Sequence, residues 1–156
     1  MPTLTLPTQP ATVRTFPVHD RPPQQRHVHV LVVSPELEIR QALFRALEDL
    51  SLDVTVCSNL AQAADVISRQ VFELIFSDWH LPDGSFTDLA QVSDGARKNP
   101  RIVVMVRATD RETRLEGLSK GAFAVVRWPG CATDVEMAII RAIREENRLS
   151  LFPPAA

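Results

Sequence analysis

LIFSDWHLPDG, residues Leu74–Gly84, puts a carboxylate at the end of a short apolar run and follows it with a turn signal. Leu74, Ile75 and Phe76 lack the polar alternation of a strand with one wet face, so the run suits a strand buried on both sides. Leu81-Pro82-Asp83-Gly84 carries proline and glycine where a turn uses their restricted and permissive backbones. Asp78 stands between the two features. An acid at a buried strand end is costly unless it is hydrogen-bonded, holds a metal or takes part in chemistry. Asp78 is therefore the candidate functional residue.

The same unit recurs on both sides of it. His27–Val33, Leu52–Val56, Glu73–Ser77, Arg101–Val106 and Ala122–Val126 are short apolar runs rich in β-branched residues, the pattern of a parallel sheet covered by helices. Amphipathic stretches alternate with them. Ser34-Pro35-Glu36 offers a cap, a first-turn proline and a first-turn acid ahead of Ile39, Leu43, Ala46, Leu47 and Leu50. Asn59–Gln62 opens a second helix, and a third begins near Ser85 or Phe86 and is cut short by Gly95 and Pro100. Thr109–Glu112 and Thr133–Glu136 have the form of capping boxes for the fourth and fifth, with Gly121 placed to end the fourth. Five βα units imply an α/β doubly wound, five-stranded parallel sheet with right-handed crossovers.

The 156 residues suit one domain with appended tails. Met1–Arg26 holds six of the twelve prolines and has no apolar periodicity, so it is expected to be a flexible tail. The domain is expected over 27–150, and 151–156 as a C-terminal tail. Hydrophobic residues at 45% and charged residues at 23% are ordinary for a globular protein, and a net charge of −2 offers no bulk attraction to nucleic acid or to an acidic membrane. Cys57 and Cys131 lack paired spacing and are expected as reduced thiols. Without a signal-peptide pattern or a span-length apolar stretch, a cytoplasmic location is expected.

Sites on an open parallel sheet form beyond the carboxyl ends of its strands, which selects Ser34–Glu36, Cys57-Ser58, Asp78–His80, Val106–Ala108 and Arg127–Pro129. At these ends the sequence resembles the receiver domains of bacterial two-component response regulators, which are CheY-like. VLVVSPELEIR at Val30–Arg40 is similar to their opening strand and helix. LIFSDWHLPDG is similar to their phosphoacceptor strand and loop, and GLSKGAFAVVRWP at Gly117–Pro129 to their closing segment. The likeness runs from about residue 28 to 148 and implies a flavodoxin-like (βα)5 fold.

The resemblance also implies a site, and this sequence departs from it. Asp78 matches the phosphoacceptor. The acidic pair that binds Mg²⁺ falls on Ser34 and Pro35, the phosphoryl-contacting hydroxyl on Val106, and the lysine on Trp128. The metal-binding backbone carbonyl would be that of His80. Glu36 is a substitute ligand or simply a helix N-terminal acid. Arg127 or Arg107 is a stand-in anion contact or a solvated surface arginine. The Trp128 indole is expected to fill the pocket where an ammonium would wait.

Two functions follow from the resemblance. In the first, this is a stand-alone pseudo-receiver, not an enzyme, binding a protein partner independently of phosphorylation and needing no cofactor. Its docking surface would be the face of the fourth helix, fifth strand and fifth helix, with Arg111, Arg114, Val125 and Arg141, joined by Arg144, Arg148, Leu115 and Ile140, and a homodimer is one possible use of it. In the second, Asp78 accepts a phosphoryl group from a histidine kinase, with Mg²⁺ held by Asp78 and the His80 carbonyl. A nucleotide- or flavin-binding enzyme is disfavoured, because SPELE after the first strand has no glycine-rich phosphate cradle. No nucleic-acid or membrane partner is expected.

Overall fold

The computed structural model describes residues 28–95, 99–108, 110–130 and 132–151, without the side chains of 145–151. Residues 1–26 and 152–156 of the expected tails, the Cys131 thiol, the Thr109 cap and the Arg148 side chain lie outside the described residues, whereas Leu151 of the expected tail at 151–156 ends a helix.

Five parallel strands form the central sheet: β1 (His29–Val33), β2 (Asp53–Cys57), β3 (Leu74–Asp78), β6 (Arg101–Val106) and β7 (Ala124–Arg127). Their spatial order is β2-β1-β3-β6-β7. The helices are α1 (Leu37–Glu48), α2 (Leu60–Arg69), α3 (Phe86–Asp94), α4 (Arg111–Ser119) and α5 (Ala132–Leu151). Each parallel pair needs a crossover, and the helices supply them while covering both faces of the sheet.

The pleat sorts the apolar residues. Val30 and Val32 join a core beneath α1 and α5, with Ile39, Leu43, Leu47, Val135 and Ile139. Leu31 and Val33 point the other way, into a core with Ala63, Ile67, Phe86 and Leu89 from α2 and α3. In α1 the buried Ile39, Leu43 and Leu47 recur every four residues, one stripe of a helix. The alternation of buried runs with amphipathic stretches therefore produces the sheet that the sequence implies.

Several boundaries shift. Leu81–Gly84 is the tip of a hairpin that the strand pattern did not show, between β4 (His80–Leu81) and β5 (Gly84–Ser85). α1 begins at Leu37 with Glu36 as its N-cap, so Ser34 and Pro35 precede the helix instead of capping it. Leu50 lies beyond the end of α1 and is exposed. α4 is capped by Asp110, whose side chain accepts from the Thr113 amide at 2.6 Å. α5 already includes Thr133, which is not its cap, and continues to Leu151. Asn59 caps α2 as expected, accepting from the Gln62 amide at 2.8 Å. Gly121, at φ 108°, follows α4 in the left-handed region that glycine enters freely.

Candidate functional site

β1, β3 and β6 end side by side, and this brings three separate pieces of sequence together. The register pairs Val33 with Ser77 and Asp78 with Met105, so Ser34, Asp78 and Val106 emerge at one edge of the sheet. Ser34 is fully buried, and its hydroxyl donates to the Asp78 carboxylate at 2.7 Å. The same oxygen accepts the Glu36 amide at 3.2 Å, while Arg40 donates to the Ser34 carbonyl at 2.7 Å. The serine is thus held at four points, counting its amide on the Cys57 carbonyl at 3.0 Å.

Glu36 pairs across the rim of the site. Its carboxylate forms an ion pair and hydrogen bond with Arg107, which leaves the end of β6. A loop after β1 is thereby tied to a loop after β6, on either side of β3. Glu36 and Arg107 are both exposed at this rim.

The electrostatics of Asp78 follow from these neighbours. Burial raises its pKa above the ordinary carboxylate value and is the largest influence. The Ser34 hydrogen bond opposes it, Glu36 adds to the rise through like charge, and Arg107 lowers it again. Arg107 itself is pushed further up, first by its hydrogen bond to Glu36 and then by that residue's charge. Cys57, buried at the end of β2, has a thiol pKa raised chiefly by burial and secondarily by Asp65.

The other expected site residues are distributed differently. Pro35 is exposed and Val106 half-buried. Trp128, 7% exposed, packs into the core beneath α1 and α5 with Val126, Val135 and Ile139. The indole thus fills core space on one face of the sheet, where the sequence suggested a plug over Asp78. Its Nε1 has no hydrogen-bond partner among the described residues. The His80 and Arg127 side chains are exposed. Among the described residues no cluster of three or more His, Cys, Asp or Glu side chains is placed to hold a metal ion. On the expected interaction face Arg111, Arg114, Arg141 and Arg144 are exposed, as are Leu115 and Ile140. Val125 is 6% exposed, because α4 closes over β7 at Gly117, so it belongs to the floor of that face and not to its rim.

Three participants were not legible as such. Asp83 accepts the amides of Leu60 and Ala61 at 2.7 and 3.0 Å, clamping the β4–β5 hairpin to the start of α2, and these bonds lower its pKa. The turn reading located Asp83 but could not supply its partner. Trp79, next to Asp78, packs edge-on to Phe86 with centroids 5.0 Å apart, and Lys120 lies over it at 5.8 Å. Gly117 lets α4 approach that ring: a Cβ there would stand 3.2 Å from Trp79 and 2.6 Å from Val125.

Comparison with known proteins bears on the fold. The sequence matches the response regulator receiver domain family over residues 30–139. It is 27% identical over 117 residues to the response regulator protein PilR of Pseudomonas aeruginosa, covering 75% of this chain but 26% of that relative. The fold matches a response regulator receiver domain protein from Clostridium thermocellum with TM-score 0.69 and 22% identity, over 78% of this chain and 98% of that one. It also matches a chain of the co-crystal of the Saccharomyces cerevisiae histidine phosphotransfer protein Ypd1 with the receiver domain of Ssk1, at TM-score 0.62 and 18% identity, over 70% and 83% of the two chains. Among the described residues no helix is long and apolar enough to cross a membrane.

Proposed function

The chain belongs to the response regulator receiver family of two-component signalling, and from that premise we propose that it is a variant receiver that binds a protein partner without taking up a phosphoryl group. One observation carries this reading. Where the resemblance calls for an acidic pair, Asp78 meets the Ser34 hydroxyl at 2.7 Å, and Glu36, the carboxylate whose charge acts on Asp78, is engaged by Arg107.

The donor set does not fit Mg²⁺. That ion takes oxygen ligands in a near-octahedral array and relies on carboxylates to offset its dehydration. Here one carboxylate is available, its Oδ2 already accepts a hydrogen bond, and a guanidinium stands at the rim. Val106 offers no hydroxyl, and Trp128 puts an indole in the core where the resemblance calls for an ammonium. Phosphoryl transfer needs preorganised charge at the transferring group, and loss of one such group costs about two to three orders of magnitude in rate. Several losses together leave Asp78 a structural acid. On this reading the protein is not an enzyme, needs no cofactor, works in the cytoplasm through a protein partner, and carries 1–26 as a tail outside a domain over 27–150.

The competing reading, Asp78 as phosphoacceptor for a histidine kinase, draws on one feature. Arg107 is a cation close enough to lower the Asp78 pKa, and a guanidinium can contact phosphoryl oxygens. It would have to release Glu36 first. A Mg²⁺ titration of the purified protein, followed by the emission of Trp79 beside Asp78, separates the two. The proposal predicts no saturable change up to tens of millimolar. A saturable change abolished by Asp78→Asn would overturn it.

A further inference from the structure

The ion pair of Glu36 with Arg107 spans the end of β3. Glu36 follows β1 and Arg107 follows β6, and the order β1-β3-β6 puts Asp78, the last residue of β3, between their strands. After burial and the Ser34 bond, the charges acting on Asp78 are those of these two residues, so both stand near it. Among the described residues the carboxylates of Glu36, Asp78 and Glu38 act on Arg107, and its hydrogen bond goes to the first. As the N-cap of α1, Glu36 makes no side-chain capping bond, so its carboxylate is spent on the bridge. The site therefore has two layers. Below, the Ser34–Asp78 bond starts from a fully buried hydroxyl. Above, the Arg107 side chain is 67% and that of Glu36 47% exposed, and water and salt weaken a pair so placed.

We infer that the Glu36–Arg107 bridge is a strap across the mouth of the site, holding solutes off Asp78 while closed and admitting them when salt or a competing charge parts it. The strap adds regulation to the site of the proposed function, and rests on that reading in taking Asp78 as an acid kept apart instead of used. It ties the loop after β1 to the loop after β6, and the loss of either partner unties both. An exposed pair shifts an equilibrium by up to about fivefold, so the strap is a gate and not a permanent seal.

Access to Asp78 is read on the full chain by coupling carboxyl groups to glycinamide with a water-soluble carbodiimide in mildly acidic buffer, each site located by peptide mass spectrometry. Glu48, exposed at the end of α1, is the internal reference. Glu36→Gln should raise the Asp78 rate relative to Glu48 by about two- to fivefold. Charge alone predicts the opposite sign. Removing the Glu36 carboxylate takes away an influence that raises the Asp78 pKa, and carbodiimide attacks the protonated acid, so without a strap the rate falls. The exchanged pair Glu36→Arg/Arg107→Glu should restore slow coupling. Molar NaCl should speed coupling in the wild type and not in Glu36→Gln. Both side chains are exposed, so these changes leave the core intact. A rate lowered or unchanged in Glu36→Gln, an exchanged pair that couples as fast as the single variant, or a wild type indifferent to salt would overturn the strap. The assay holds no Mg²⁺ and no phosphoryl donor, so its failure leaves the missing-ligand argument intact. Phosphorylation of the wild type would sink that argument, while the coupling rates would still report whether the strap closes.

Discussion

Replacing Ser34 with alanine isolates the contact on which the proposed function turns. Ser34 is fully buried, so its hydroxyl has no water to fall back on, and two bonds are lost: 2.7 Å to the Asp78 carboxylate and 3.2 Å from the Glu36 amide. A hydrogen bond to a charged group contributes about 1.5–3 kcal/mol, and a long neutral one about 0.5 kcal/mol. Ser34→Ala should therefore destabilise the fold by about 2–3 kcal/mol at pH 7 by urea denaturation. The cost should depend on pH. Because the folded-state pKa of Asp78 is raised, its contribution is fully present below the unfolded carboxylate value and is lost as pH rises through the folded one. The Ser34 bond limits that loss, so removing it should cost more at neutral pH than at pH near 4. In an Asp78→Asn background the cost should fall by about 1 kcal/mol or more, the part owed to charge. An equal cost at both pH values and in both backgrounds would refute the reasoning, since Ser34 would then act through its other bonds alone.

Other consequences are local. Gly117→Ala sets a methyl 2.6 Å from the Val125 side chain and 3.2 Å from Trp79, and should cost about 1–3 kcal/mol and shift tryptophan emission; a stable variant with native emission would mean that α4 has room to move. Asp83→Ala removes the acceptor of the Leu60 and Ala61 amides and should lower the melting temperature at pH 7. Because the folded-state pKa of Asp83 is lowered, the stability it adds is present above the unfolded carboxylate value and lost as pH falls through the folded one, so wild type and variant should converge in acid; a gap that persists there would contradict the clamp. The buried Cys57 thiol, with its raised pKa, should react with a disulfide reagent only as fast as the protein unfolds, and prompt labelling of the native protein would place it at the surface.

The fold was legible because its signals are local. Arg101–Val106 is apolar after its first residue, and the strand occupies those residues; elsewhere bounds move by one or two, as where His27–Val33 became His29–Val33. Hydroxyl-led caps misled. Ser34 and Thr133 have the right neighbours, but Ser34 spends its hydroxyl on an aspartate 44 positions away and Thr133 lies within α5. The site was legible as a list of strand ends and not as a set of contacts. Glu36 and Arg107 are 71 residues apart, and each alone looks like a solvated charge. Trp128 shows the same limit: its position after β7 was readable, while the face on which its indole would settle depends on α1 and α5.

The most direct test of the closed site is intact mass after incubation with Mg²⁺ and acetyl phosphate. The mass should stay unchanged for the wild-type chain and for Asp78→Asn alike. Gain of one phosphoryl group by the wild type, absent in Asp78→Asn, would contradict this and show that Ser34, Val106 and Trp128 do not disable the site.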